Sequence, residues 1–171
     1  MAGRAVGKRK KLRIGWFTFT CCEGCATVFV ELMNDHFKEW REQIDFRHCR
    51  ILKSKNDMRG MDLAIVEGAI ASKDDVDKLK TIRRNAKRVM IVGSCAINGM
   101  PAALRNNFDA KKMKEIQPIL RKFGHLPKVE PVVKFIKVDS QVPGCPMSDK
   151  MFLAELGGYL AEFGVKSAPG E

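Results

Sequence analysis

The sequence predicts an α/β fold built on a mostly parallel, doubly wound sheet in a single domain. Three observations lead there. Continuous apolar runs such as Leu63-Ala64-Ile65-Val66 and Val89-Met90-Ile91-Val92, each closed by Gly68 or Gly93, are what strands buried on both faces look like. Between such runs the apolar residues recur at three- and four-residue steps, the period of a helix with one wet face. A chain of 171 residues with 45% hydrophobic content suits one core, since folding at this size buries roughly 70% of the unfolded surface. Strands alternating with helices at this spacing give the flavodoxin-like arrangement.

The elements follow in order. Leu12 to Phe19 is β-rich, and from Cys25 the period changes: Ala26, Phe29, Val30, Met33, Phe37 and Trp40 mark one amphipathic helix. Phe46 to Leu52 reads as a second strand, with a loop from Asn56 to Gly60. Met61 to Val66 is a third strand ending at Glu67-Gly68. Ser72 caps the next helix, whose first turn holds Asp74 and Asp75 and whose last turns hold Arg83, Arg84 and Lys87, as the helix dipole favours. Arg88 to Val92 is a fourth strand stopping at Gly93-Ser94-Cys95. After a turn at Gly99-Met100-Pro101 come a helix over Lys111–Lys122, an alternating strand over Val132–Val138 and a closing helix over Asp149–Phe163. Residues 1–11, basic and without an apolar stretch, read as a flexible tail before a domain spanning 12–171.

The chemistry lies in the cysteines. Cys22 and Cys25 form a Cys-x-x-Cys pair after the first strand, Cys95 follows the fourth strand and Cys145 the last, with Glu67 ending the third. Doubly wound sheets bind ligands beyond the carboxyl ends of their strands, so these residues are expected to meet at one rim. Four thiolates with one Cys-x-x-Cys turn suit an iron–sulfur cubane, and Pro146 after Cys145 resembles the Cys-Pro ending of known cluster runs. Two other readings stay open. Structural zinc takes four thiolates, though zinc ribbons use two Cys-x-x-Cys knuckles. A redox dithiol at Cys22 and Cys25 would have its thiol pKa lowered at the helix start. Cys49 is expected as a buried apolar residue. Cys21, facing away from Cys22 if the strand continues, is expected in the core or beside the site, with replacement of Cys25 as ligand the alternative.

Composition narrows the class. Six cysteines are too sparse for a disulfide scaffold and point to metal or redox chemistry in a reducing compartment. No apolar run approaches the ~20 residues that cross a bilayer, and the basic start lacks a secretory pattern, so a cytoplasmic location is expected. The net charge of +11 implies an acidic partner surface. No nucleic acid is expected, because the basic residues lack interleaved aromatics or a recognised binding motif.

Together, Cys22-Glu23-Gly24-Cys25, Val66-Glu67-Gly68, Gly93-Ser94-Cys95-Ala96 with Gly99, and Gly144-Cys145-Pro146 resemble the small subunit of nickel–iron hydrogenases, a superfamily shared with the 20 kDa cluster subunit of complex I. The resemblance runs from about Leu12 to Leu160. It implies one proximal 4Fe-4S cluster held by Cys22, Cys25, Cys95 and Cys145, passing electrons to or from a nickel–iron centre in a separate large subunit, with Glu67 beside the cluster and no catalytic residue in this chain. It also implies further electron-transfer subunits and peripheral attachment to a membrane complex. The chain closes soon after Cys145, where many members continue to medial and distal clusters, so a single cluster is expected. Ala26 replaces an acidic residue often found there. Cys21-Cys22 echoes the complex I branch, which would pass electrons towards a quinone, and Glu23-Gly24-Cys25 the hydrogenase branch, which the reading favours. A zinc or nucleic-acid binding module is the alternative of another class. Phe108 and Met147 are candidates for an exposed subunit interface.

Overall fold

The structure is a computed structural model that describes residues 10–165; the tail expected at residues 1–11 falls almost wholly outside them. In chain order the first half contains β1 (Leu12–Thr18), α1 (Gly24–Asp35), α2 (Phe37–Gln43), β2 (Ile44–His48), β3 (Met61–Glu67), β4 (Ile70–Ser72) and α3 (Lys73–Asn85). The second half contains β5 (Ala86–Val92), α4 (Gly93–Asn98), α5 (Ala110–Lys122), β6 (His125–Glu130), β7 (Ser140–Val142) and α6 (Asp149–Glu162), with short 3-10 turns at Leu104–Asn107 and Val132–Lys134.

Five strands make one sheet in the order β2-β1-β3-β5-β7, and every neighbouring pair is parallel. This is the flavodoxin-like order, and both faces are covered as a parallel sheet requires. Every residue of β3 is buried, which explains why it reads as a continuous apolar run. On one face, α1, α2 and α6 bring Phe29, Trp40 and Phe152 onto Trp16 of β1. The rings of Trp16 and Phe29 stack with centroids 4.3 Å apart, and Phe152 meets Phe29 edge-on at 6.1 Å. On the other face, Leu79 and Ile82 of α3 pack onto Phe17, Ala64, Val66 and Ile91. The start of α3 is a full capping box: Ser72 Oγ accepts from the Asp75 N–H, and Asp75 accepts from the Ser72 N–H.

Several expectations need correction. The helix expected from Cys25 to Trp40 is two, parted at His36. The second strand is Ile44–His48 and ends before Cys49, which is fully buried as expected. Val132–Val138 is not a strand: three of its residues form a 3-10 turn, because Val132, Phe135 and Ile136 plug the α3 face instead of alternating across a ladder. The strand that pairs with β5 comes later, at Ser140–Val142. A small antiparallel pair, β4 with β6, went unpredicted because His125–Glu130 is mostly exposed and carries Pro127. Among the described residues no helix is long and apolar enough to cross a membrane.

The amino ends of the central strands are joined by charge. The nearly buried Asp62 of β3 accepts from Arg13 Nε and Nη2 of β1, both at 3.0 Å, and pairs with Lys87 of β5 at 2.9 Å. Burial pushes the Asp62 carboxyl up, but the hydrogen bonds from Arg13 and Lys87 outweigh it and hold the group down at about 2. A carboxyl depressed in the folded state stabilises above its unfolded pKa of about 4, and that stabilisation is lost as pH falls through about 2. Asp62→Asn should therefore cost about 1–3 kcal/mol at pH 7, a deficit that shrinks below pH ~4; urea midpoints measured at both ends of that range would show it, and a pH-independent deficit would refute it. Phe152→Ala should cost about 3–5 kcal/mol by the same measurement, as for an aromatic removed from a closed core.

Candidate metal centre

The site begins with strand ends. β1, β3, β5 and β7 run the same way, so the loops after them emerge on one rim. Beyond β1, Phe19 N–H donates to the Glu67 carbonyl (2.9 Å), and Thr20 and Ala69 exchange a pair of backbone hydrogen bonds at 3.0 and 2.9 Å. These tie the Cys21–Cys25 turn to the Glu67-Gly68 turn. Beyond β5, Ser94 gives both its backbone N–H (2.8 Å) and its hydroxyl (3.0 Å) to the Gly144 carbonyl. That tie locks the Cys95 turn to the Cys145 turn, 50 residues apart.

The four cysteines singled out in the sequence, Cys22, Cys25, Cys95 and Cys145, line one narrow cleft together with Cys21, Glu67 and the walls Val92, Gly93 and Gly144. Gly93 and Gly144 lie at φ 79° and 122°, where a side chain is strained. A Cβ on Gly93 would collide with Cys25 Sγ, so glycine is what lets the Cys25 turn approach the Cys95 turn. Cys22 and Cys145 are exposed, Cys95 is buried, and Cys25 lies between. The Cys145–Pro146 peptide bond is cis.

Burial raises the thiol pKa of Cys25 to about 11, against a backbone hydrogen bond from Met147 and with reinforcement from neighbouring Glu67, Cys95 and Cys145. At Cys25, burial therefore outweighs the lowering expected at a helix start. Cys21 is pushed up to about 12, again chiefly by burial, although its sulfur accepts from the Glu23 N–H at 3.3 Å. Cys21 and Cys22 both line the cleft. Strand alternation was the wrong rule for them, since β1 has already ended at Thr18.

Glu67 is 1% exposed. Its Oε1 accepts from Thr18 Oγ1 (2.8 Å) and Trp16 Nε1 (3.4 Å), and its Oε2 accepts from the Ala26 N–H (3.1 Å). The carboxylate thus satisfies one of the free amides in the first turn of α1 and clamps that helix to the sheet. Burial raises its pKa, opposed by those three donors. Thr18 and Trp16 carry no signal in the sequence; only their hydrogen bonds to Glu67 tie them to the site. Met147 was assigned to an exposed interface, yet it is 3% exposed and packs in the core under the site. Phe108 is 41% exposed.

The donor set, four thiols with one Cys-x-x-Cys turn, is of the kind that holds an iron–sulfur cubane. Among the described residues no three His, Cys, Asp or Glu side chains are gathered closely enough to grip one metal ion. Tetrahedral zinc accepts four thiolates at about 2.3 Å, whereas a cubane takes one thiolate per iron and spreads its ligands. The free space among the sulfurs is about 20 Å³, room for about one water. A group of cluster size requires thiol side chains to turn outward, which the exposed Cys22 and Cys145 are free to do.

The chain is similar over 142 residues to the delta subunit of sulfhydrogenase 2 from Pyrococcus furiosus, at 25% identity over 79% of this chain and 56% of the relative. It is 23% identical over 83% of its length, and 75% of the relative's, to the delta subunit of the NAD-reducing hydrogenase HoxS of Cupriavidus necator. The chain spans about half the length of the first curated relatives it matches. Among solved structures it superposes on a chain of an NAD+-reducing NiFe-hydrogenase with a TM-score of 0.76 at 24% identity, covering 94% of this chain and 96% of that one. A Ni-Fe-Se hydrogenase chain from Desulfomicrobium baculatum gives 0.64 at 16%, over 95% of this chain and 68% of that one; likeness at these identities speaks for the fold. Residues 22–158, which include all four rim cysteines, match the profile of the NADH ubiquinone oxidoreductase 20 Kd subunit family, and the chain belongs to that family.

Proposed function

We infer that this chain is the electron-transfer small subunit of a nickel–iron hydrogenase, in which Cys22, Cys25, Cys95 and Cys145 hold one 4Fe-4S cluster and a separate large subunit carries the nickel–iron centre. The observation that supports it most is the convergence of those four thiols, from three different strand ends, on a single cleft. The hydrogenase names of the relatives support the choice of partner.

Bound there, the cluster would supply reversible one-electron transfer, linking dihydrogen oxidation or proton reduction in the large subunit to further electron carriers. This chain's own residues provide the rest. The four thiols ionise to become ligands, and the amide dipoles at the start of α1 favour the negative charge that results. Gly93 and Gly144 keep the walls thin so that sulfur can approach from both sides, and Val92 and the buried Cys95 turn keep water from the inner edge. Glu67 acts as a clamp on the Cys25 turn, with its acceptors used within the chain. Cys21 stands beside the site as a spare thiol.

Aerobic loss of such clusters is common, so the test uses anaerobically purified chain. It should contain iron and sulfide in a four-to-four ratio and no stoichiometric zinc, with a paramagnetic signal on reduction that Cys95→Ser and Cys145→Ser each abolish or transform. A variant with an unchanged signal removes that residue from the ligand set, and stoichiometric zinc sinks the reading.

A second reading, electron delivery to a quinone in a complex I-type assembly, is favoured by the description of the family itself. Copurification from the native source separates the two. The hydrogenase reading expects a nickel-containing large subunit; a partner without nickel, accompanied by quinone reductase activity, would favour the other.

A further inference from the structure

On the opposite side of the Thr18–Gly24 turn from the cysteines lies a larger cavity, of about 320 Å³, which the cluster reading leaves unused. Its size is that of a small-molecule site. It lies at the carboxyl ends of β1 and β2, bordered by Lys78 of α3. Phe17 and Phe19 form its apolar wall, and the Phe17 ring stacks on the His48 imidazole with centroids 4.3 Å apart. Three basic side chains, His48, Arg50 and Lys78, face the same space.

Among the described residues the two permanent cations, Arg50 and Lys78, have no carboxylate bonded to them, by hydrogen bond or ion pair. The Lys78 ammonium is held 5.0 Å from the centre of the Phe19 ring, a cation–π contact. His48 Nδ1 donates to the Trp16 carbonyl at 3.1 Å, which fixes the ring and turns Nε2 away from the backbone. Glu23 is the single acidic residue in the lining. Burial lowers the pKa values of both His48 and Lys78; the Arg50 charge adds to each effect, and Asp75 opposes it at Lys78. Concave surface, aromatic wall and two converging cations with no carboxylate bonded to them together describe a receptor for an anion that carries an apolar body.

We propose that this cavity binds a small organic anion, with its phosphate or carboxylate group on Arg50 and Lys78 and an apolar or planar body against Phe17 and Phe19. The guanidinium supplies a fork of donors and the ammonium a point charge, while the rings recognise the body. Inorganic phosphate alone would use half of the site. The proposal stands apart from the cluster, since none of the four rim cysteines lines the cavity.

Calorimetric titration of the purified full chain with phenyl phosphate, inorganic phosphate and benzyl alcohol at fixed ionic strength tests it. Phenyl phosphate should bind more tightly than either other probe. Arg50→Gln and Lys78→Gln should each weaken it about tenfold, as expected when a charged hydrogen-bonding partner is lost. Lys80→Gln, an exposed change on α3 outside the cavity, should leave binding unaltered. Arg50 is itself exposed, so its replacement keeps the fold, which circular dichroism checks. Absence of binding up to about 10 mM, where an affinity would be worth less than ~3 kcal/mol, overturns the proposal. So does equal binding of inorganic phosphate, or equal weakening by Lys80→Gln, which would mean diffuse attraction to a basic surface. Weaker association with the large subunit in the two cavity variants, without small-anion binding, would likewise overturn it in favour of a protein contact.

Discussion

Parallel strands that end together force their following loops into the same space, and everything at the cysteine cleft depends on that constraint. A hydrogen-bonded parallel ladder leaves no freedom to slide β5 against β7 or β1 against β3. The loops must then satisfy their own backbone groups at close quarters. They do so with one another: Ser94 gives two hydrogen bonds to Gly144, and Thr20 exchanges two with Ala69. Thiols separated by 50 and 70 positions are thereby held at one edge by backbone geometry before any cofactor is considered.

Burial then sets the chemistry. Sulfur atoms recessed among apolar walls resist ionisation, which makes Cys21 and Cys25 poor free nucleophiles. A bound metal would offset that penalty, because its positive charge favours the thiolate that burial opposes. The buried carboxylate of Glu67 is tolerated for a related reason: each oxygen has a donor, and one of those donors is an amide that the first turn of α1 would otherwise leave unpaired.

The two sides of the first turn divide the molecule's surface chemistry. Cysteines and glycines occupy the side facing β5 and β7. Aromatic rings and cations occupy the side facing β2 and α3. One short segment, Thr18 to Gly24, borders both, with Glu23 held at φ 61° between them. Non-glycine residues are uncommon in that conformation, and its place here, at the N-terminus of α1, sets the direction in which the helix leaves the turn.

Local pattern carried most of the layered architecture. Continuous apolar runs identified β3 and β5, the capping residues identified α3, and glycine after each strand marked the rim on which Cys22, Cys25, Cys95 and Cys145 meet. These features are legible because they follow from side-chain period and from backbone conformations that only certain residues adopt. Tertiary packing decided what local pattern could not. Val132–Val138 alternates like a strand yet plugs the α3 face, since the edge of β5 was taken by the less apolar Ser140–Val142. Met147 disappeared into the core, and Cys21 turned towards the cleft, because the chain leaves β1 before reaching it. The cavity has no sequence signature: Arg50 follows β2 and Lys78 lies on α3, and only the folded sheet edge brings their charges together.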